Sequence, residues 1–244
     1  MLSTDIFNIE SDTANIILGK VADAVIIQTM GEGCEMRAMR ILYNAEQDCV
    51  FQGGKEFRWA DLRSFRFLSD RIQSIDKTKE TPEVYIKTDA ARNRLNYLYF
   101  RDQNGWNEIS STESVNPWWQ SDYALVHFTF VPPNNQPFAG KFVYLMGELT
   151  GNQVGDTSRM EYEAPNGIYT KTLYLKQGYY SYTYITKDNR INNNLKTDYT
   201  LTEGSFWETE NEYSILFYFR SFSSRHDELL GMATVNSKTD RPGY

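Results

Sequence analysis

Glu203, Glu208, Glu210 and Glu212 lie close together near the C-terminal end of this chain. Paired carboxylates hydrolyse glycosidic bonds when held roughly 5–10 Å apart across a cleft. Glu208, Glu210 and Glu212 alternate in sequence, so on a strand they stand side by side on one face, the pattern of a solvated sheet surface. His226 sits in Ser223-Ser224-Arg225-His226-Asp227-Glu228, which holds the letters of a catalytic triad. Residues adjacent in sequence rarely converge as a triad does, and no Gly-x-Ser-x-Gly elbow supplies a nucleophile. His127 lies inside an alternating run and reads as a half-buried sheet residue. There is no His-Glu-x-x-His, no Cys-x-x-Cys and no EF-hand loop, and Gly31-Glu32-Gly33 and Gly53-Gly54 lack the following helix of a phosphate site. No catalytic residue, metal ligand or cofactor is therefore expected.

The elements that must carry these residues are strands. Leu173-Tyr174-Leu175-Lys176-Gln177-Gly178-Tyr179-Tyr180-Ser181-Tyr182-Thr183-Tyr184-Ile185 holds two apolar runs flanking a Lys-Gln-Gly turn, which predicts a tight β-hairpin. Past the turn Tyr180, Tyr182 and Tyr184 share one face, with Tyr179, Ser181, Thr183 and Ile185 on the other. Ala124, Val126, Phe128 and Phe130 likewise share a face. Further strands are predicted over 15–18, 24–29, 36–43, 49–52, 65–68, 83–87, 95–101, 142–146, 169–175 and 213–220. Helical periodicity is not sustained anywhere. Strands at this spacing predict an all-β fold of two β-sandwich modules in tandem, which the resemblance drawn from the blocks below makes immunoglobulin-like. The polar, aperiodic stretch 110–120 places the first module over residues 1–115 and the second over 120–244.

Composition narrows the partners. In 244 residues acids outnumber bases 32 to 25, giving a net charge of −7, which excludes the concentrated Lys and Arg of a nucleic-acid surface. No apolar run reaches the ~18–20 residues that span a bilayer, so no membrane insertion is expected. The start, Met1-Leu2-Ser3-Thr4-Asp5, lacks the basic and apolar regions of a signal peptide. A hairpin turning near 44–48 would leave Cys34 far from Cys49, and two buried free thiols are expected. Trp106, Trp118, Trp119 and Trp207 suit either core packing or an interface. If Trp118 and Trp119 lie on a strand they straddle its two faces, so one ring at least reaches the surface or the module junction.

Several blocks add a resemblance. Val143-Tyr144-Leu145-Met146-Gly147, Gly167-Ile168-Tyr169 and the Leu175 to Tyr182 hairpin make the second module resemble the immunoglobulin-like early set domains that accompany glycogen- and starch-active enzymes. The tryptophan with which carbohydrate-binding members stack on sugar has no counterpart in Thr150-Gly151-Asn152-Gln153. More of the chain resembles the plug proteins of the Bacteroidota type IX secretion system, long a domain-of-unknown-function family. The blocks are Phe51-Gln52-Gly53-Gly54-Lys55-Glu56-Phe57-Arg58, Asp61-Leu62-Arg63-Ser64, Ser69-Asp70-Arg71-Ile72 and Asp122-Tyr123-Ala124-Leu125-Val126-His127-Phe128. They continue with Leu175 to Tyr182, Glu203-Gly204, Glu208 to Tyr213, Arg225 with Leu230-Gly231, and Asn236-Ser237, in the family's order.

That resemblance implies a non-enzymatic periplasmic interaction protein that closes the outer-membrane β-barrel translocon when idle. Met1 to Val50 matches poorly, as in the C-terminal part of such a protein or a short member. The alternative is a carbohydrate-binding accessory module. Arg58, Trp59, Arg63, Arg66 and Arg71, interleaved with Phe57, Phe65 and Phe67, combine the residue types that dominate binding hot spots, and the partner surface is expected there.

Overall fold

A computed structural model describes residues 22–29, 37–40, 52–189, 198–219 and 225–240 of the chain. In chain order the first strands are β1 (Ala22–Thr29), β2 (Arg37–Arg40), β3 (Arg58–Asp61), β4 (Ile72–Asp76), β5 (Glu83–Ile86), β6 (Asp89–Ala90) and β7 (Asn107–Glu108). The single-turn helix α1 (Pro117–Gln120) leads into β8 (Tyr123–Val131). Then come β9 (Lys141–Met146), β10 (Glu161–Glu163), β11 (Ile168–Lys176), β12 (Tyr179–Asp188), β13 (Glu212–Phe219) and β14 (Glu228–Asn236). Two 3-10 turns, at Pro133–Asn135 and Glu148–Thr150, complete the helical content of the described residues. The all-β sandwich class expected from the spacing holds.

The chain forms two compact units. One comprises Met1–Thr29, Cys34–Phe51 and Asn211–Tyr244; the other comprises Met30–Gly33 and Gln52–Glu210. The first holds an antiparallel sheet ordered β14-β13-β1-β2, with Val25 opposite Leu216 and Ala38. A bulge between Phe217 and Tyr218 shifts the pairing to β14 beside Gly231.

The second unit is a two-layer sandwich. Its larger sheet runs β10-β11-β8-β5-β4, with β6 also beside β8; β5 and β6 lie parallel to β8 and the other pairs are antiparallel. Its second sheet is built on β12, flanked by β3 on one edge and by β7 and then β9 on the other. Alternation along β8 turns Ala124, Val126, Phe128 and Phe130 inward, all without exposed surface. They meet Tyr180, Tyr182 and Tyr184 of β12: Phe128 lies edge-on to Tyr182 at 5.1 Å and Phe130 lies 4.7 Å from Tyr184. Each such ring pair adds roughly 0.5–1.5 kcal/mol beyond the area it buries. On the other face of β12, Ile185 packs with Tyr144, Met146 and Tyr199, so this strand is buried on both sides.

Several sequence expectations are corrected. The division near 110–120 falls inside the second unit, where β5 pairs with β8 and β3 with β12 across it. Those residues form a loop and α1, which explains their lack of strand periodicity. Strand β13, expected in the second module, instead joins β1 and β2, together with β14, a strand that the sequence reading did not mark. The 173–185 stretch is not a hairpin: β11 pairs with β8 while β12 lies in the other sheet, so Lys176-Gln177-Gly178 crosses between layers. That crossing is tight, because a Cβ on Gly178 would lie 2.6 Å from the Glu108 carbonyl oxygen. The expected strands at 65–68 and 95–101 are irregular segments. Glu208 and Glu210 precede β13, so they do not share a strand face with Glu212. Trp118 and Trp119 lie on α1 rather than on a strand. The expected strand at 15–18, most of that at 49–52, and both cysteines lie outside the described residues.

Candidate functional site

Arg58 shares its strand parity with Ala60 and Leu62, so β3 turns its guanidinium inward with them, only 6% exposed. A buried guanidinium is tolerated only when charges and acceptors surround it. Its Nε and Nη2 donate to Glu203 Oε1 and Oε2 at 3.0 and 3.1 Å, a two-pronged pair. Nη1 donates to Asp89 Oδ1 at 2.7 Å and Nη2 also to the Ala90 carbonyl at 2.7 Å. Arg92 Nε donates to Glu203 Oε2 at 2.6 Å, and Arg71 Nη2 donates to Asp89 Oδ1. The Tyr182 and Tyr184 hydroxyls donate to Asp89 Oδ2 at 2.8 and 2.9 Å.

Burial alone would raise the Glu203 carboxyl, but Arg58 and Arg92 outweigh it and hold the group down at about 2. Burial likewise opposes the Arg58 charge, and Glu203 with Asp89 more than restores it, raising that guanidinium above its ordinary range. At neutral pH Glu203 has no proton to give and Arg58 gives none up. The cluster ties β3, β6, β12 and the 203 loop together and offers no proton transfer.

Beside this cluster a strap of irregular chain, residues 91–106, is fastened by residues 55–59. Lys55 Nζ donates to the carbonyls of Arg92 and Leu95 at 3.2 and 3.0 Å. The Tyr97 hydroxyl donates to Glu56 Oε1, and the Phe57 amide donates to Asp102 Oδ2. Phe100 packs edge-on to Trp59 at 5.3 Å. Glu56 is 2% exposed, and burial pushes its carboxyl up to about 7 against the opposing Tyr97 hydrogen bond. Gly53 lies tight against the 203–209 loop, since a Cβ there would lie 2.2 Å from the Phe206 carbonyl oxygen. Between its fastenings the strap exposes Leu95, Leu98, Tyr99 and Trp106, with Leu98 72% exposed. Arg94 and Arg101 are exposed on the same segment.

The outer face of the larger sheet is the second open surface. Tyr123 and Tyr174 lie parallel, ring centroids 5.0 Å apart, with the Lys176 ammonium 5.8 Å from the Tyr123 ring. Tyr85 stacks on His127 at 4.5 Å, as the pairing of β5 with β8 requires. His127 Nδ1 lies 2.9 Å from Thr172 Oγ1, and Glu83 accepts from Lys79 and from the Tyr85 hydroxyl at 2.6 and 2.8 Å. Tyr174 is 61% exposed, and Trp119, four residues before Tyr123, is 85% exposed.

The arginine surface expected from the sequence is therefore corrected. Arg58 is internal, and Arg71 spans Asp89 and the Trp59 ring. Trp59 is half-buried beneath Phe100. Arg63 grips Asp61 at 2.8 and 2.6 Å, and Arg66 alone of the four arginines stands well exposed, 3.8 Å from Glu113. The parity of Arg58 with Ala60 and Leu62 was a usable signal for its burial; nothing local marked Glu203 as its partner. Trp106, Trp119 and Trp207 are exposed, which settles them as surface rings, while the Trp118 side chain lies outside the described residues. His127 is half-buried in the sheet as expected, and His226 is exposed, 3.6 Å from Glu228. Among the described residues no three His, Cys, Asp or Glu side chains are grouped to hold a metal ion, and no helix is long and apolar enough to cross a membrane.

No family model matches this chain, and neither does any curated protein sequence. Among solved structures, the crystal structure of a hypothetical protein from Parabacteroides merdae is similar, with a TM-score of 0.78 at 28% sequence identity. The match covers 89% of this chain and 55% of that one, so this chain spans about half of that protein's length.

Proposed function

We propose that this chain is a non-enzymatic interaction module that docks through the outer face of its larger sheet. The type IX plug resemblance makes the periplasmic mouth of an outer-membrane β-barrel its partner. The parallel Tyr123–Tyr174 pair carries this reading: two large rings held open on a rigid sheet, with Trp119 exposed just ahead of them. Tyrosine and tryptophan on a stiff frame lose little entropy on binding and anchor interfaces well. A broad face also suits a reversible seal better than one deep pocket.

The test uses a purified type IX barrel, immobilised, and this protein in solution. Retention of the wild type with a loss of roughly 30-fold or more for Trp119→Glu/Tyr174→Glu, the size of a hot spot, is the expected result. Failure of the wild type to be retained refutes the partner.

The same two rings favour one second reading, a carbohydrate-binding accessory module, because pyranose rings stack on exposed aromatic faces. Starch and glycogen are not the expected ligands, since the turn at Gly147 to Asn152 carries no ring. Calorimetry with maltoheptaose is expected to give no binding tighter than about 1 mM.

A further inference from the structure

We propose that the strap at residues 91–106 is a proton-controlled latch, held down while the buried Glu56 carboxyl carries a proton and released when that proton leaves. The latch belongs to a different part of the same unit from the docking face and does not rest on that reading.

Its fastenings are few and mostly acidic. Among the described residues no backbone hydrogen bond holds Asn96 to Asp102, so side chains fasten the middle of the strap. Tyr97 donates to Glu56 Oε1, Phe100 packs on Trp59, and Asp102 Oδ2 accepts from the Phe57 amide. Two of these fastenings therefore end on a carboxyl group. A segment tied this sparsely opens at a smaller cost than the sheets around it.

Glu56 differs from the other buried acids of the described residues, which are Glu83, Asp89 and Glu203. Lys79 meets Glu83, Arg58 and Arg71 meet Asp89, and Arg58 and Arg92 meet Glu203. None of these ion pairs reaches Glu56, and its Oε2 is buried without a hydrogen-bond partner. The groups that face it have the same sign or are engaged elsewhere. Asp102 on the strap and Glu210 on the chain leading into β13 both act on it as like charges. Glu208 and Tyr99 bear on the Tyr97 hydroxyl. Lys55 gives its ammonium to the Arg92 and Leu95 carbonyls and to the Phe206 ring at 4.6 Å. Arg92 pairs with Glu203 and reaches the Glu56 backbone carbonyl at 2.8 Å, not its carboxyl.

An ionised Glu56 is thus a charge taken out of water and set among other acids, an arrangement that favours the neutral form. Burial, foremost, pushes the group from 4.5 up to about 7. When the strap lifts, Glu56 returns to water and ionises in its ordinary range. Opening therefore releases a proton, and rising pH favours it across the interval from 4.5 to about 7.

Brief trypsin digestion of the full chain from about pH 6 to 8.5 tests this. Cleavage after Arg94 and Arg101, both exposed on the strap, is divided by cleavage after the exposed Arg66, which removes the protease's own pH dependence. The wild-type ratio is expected to rise about tenfold over that interval, with unchanged far-ultraviolet circular dichroism. Glu56→Gln, neutral at every pH, should keep the low ratio throughout. The Glu56 carboxyl-carbon resonance of the wild type should titrate where the ratio rises, a readout that does not depend on the variant. A flat wild-type ratio, an equal rise in Glu56→Gln, or a Glu56 midpoint below about pH 5 would each overturn the proposal. So would loss of the circular dichroism signal in step with the ratio, because the opening would then be global.

Discussion

Arg58 and Glu203 stand 145 positions apart in the chain and meet as a two-pronged ion pair, Nε to Oε1 at 3.0 Å and Nη2 to Oε2 at 3.1 Å, with side-chain exposures of 7% and 0%. Both charges left water to form it, so the pair is worth most as a lock: losing one partner strands the other. Arg58→Ala is expected to destabilise the fold by about 3–5 kcal/mol, read from urea unfolding. Arg58→Lys should recover little, because an ammonium cannot span both carboxylate oxygens. A loss below about 1 kcal/mol for the alanine variant would mean that water or relaxation satisfies Glu203.

Glu56 and Glu203 give stability opposite pH dependences. The Glu56 carboxyl rises from 4.5 to about 7 on folding, so the folded state prefers it protonated. Its contribution is complete below pH 4.5 and declines as pH rises toward 7. Glu56→Gln should therefore stabilise the protein at pH 8, by on the order of 2 kcal/mol, and leave it little changed at pH 4.5. Melts of the two proteins across that range decide it; parallel curves would show Glu56 ionising normally.

Glu203 runs the other way. Its carboxyl falls from 4.5 to about 2, so it stabilises the fold above pH 4.5 and that stability is lost as pH drops toward 2. Glu203→Gln should lower stability at pH 7 and flatten the acid limb of the unfolding curve between pH 4.5 and 2. An unchanged acid limb would exclude Glu203 as its source.

Gly178 tests the crossing between the two sheets. A Cβ there meets the Glu108 carbonyl at 2.6 Å and the Ile109 Cα at 3.3 Å, both backbone, so neither can step aside cheaply. Gly178→Ala should cost about 1–3 kcal/mol. Gly155→Ala, where nothing lies within 4 Å, should stay within about 0.5 kcal/mol. Equal melting temperatures for the two variants would show that the crossing tolerates widening.

Two facing rows of the sandwich core are legible in the alternation of the chain. Alternation placed Ala124, Val126, Phe128 and Phe130 on one face and Tyr180, Tyr182 and Tyr184 on another, and each is buried as its parity requires. It determined the all-β class for the same reason, since a period of two is a local property of the chain. Tertiary structure decided which strands pair. The stretch from Leu173 to Ile185 reads identically as a hairpin or as a crossing between layers, because turn chemistry and alternation are common to both. Here both edges of β12 are taken, one by β3 and the other by β7 and β9, so β11 pairs with β8 instead. Arg58 shows the same division: its parity with Ala60 and Leu62 points it inward, but only folding brings Glu203 and Asp89 to meet it. The strap shows it once more. Leu95 to Arg101 has the composition of a strand, yet Lys55, Glu56 and Trp59 hold its backbone and rings in an irregular path, and that long-range fastening turns Leu98 and Tyr99 to the surface.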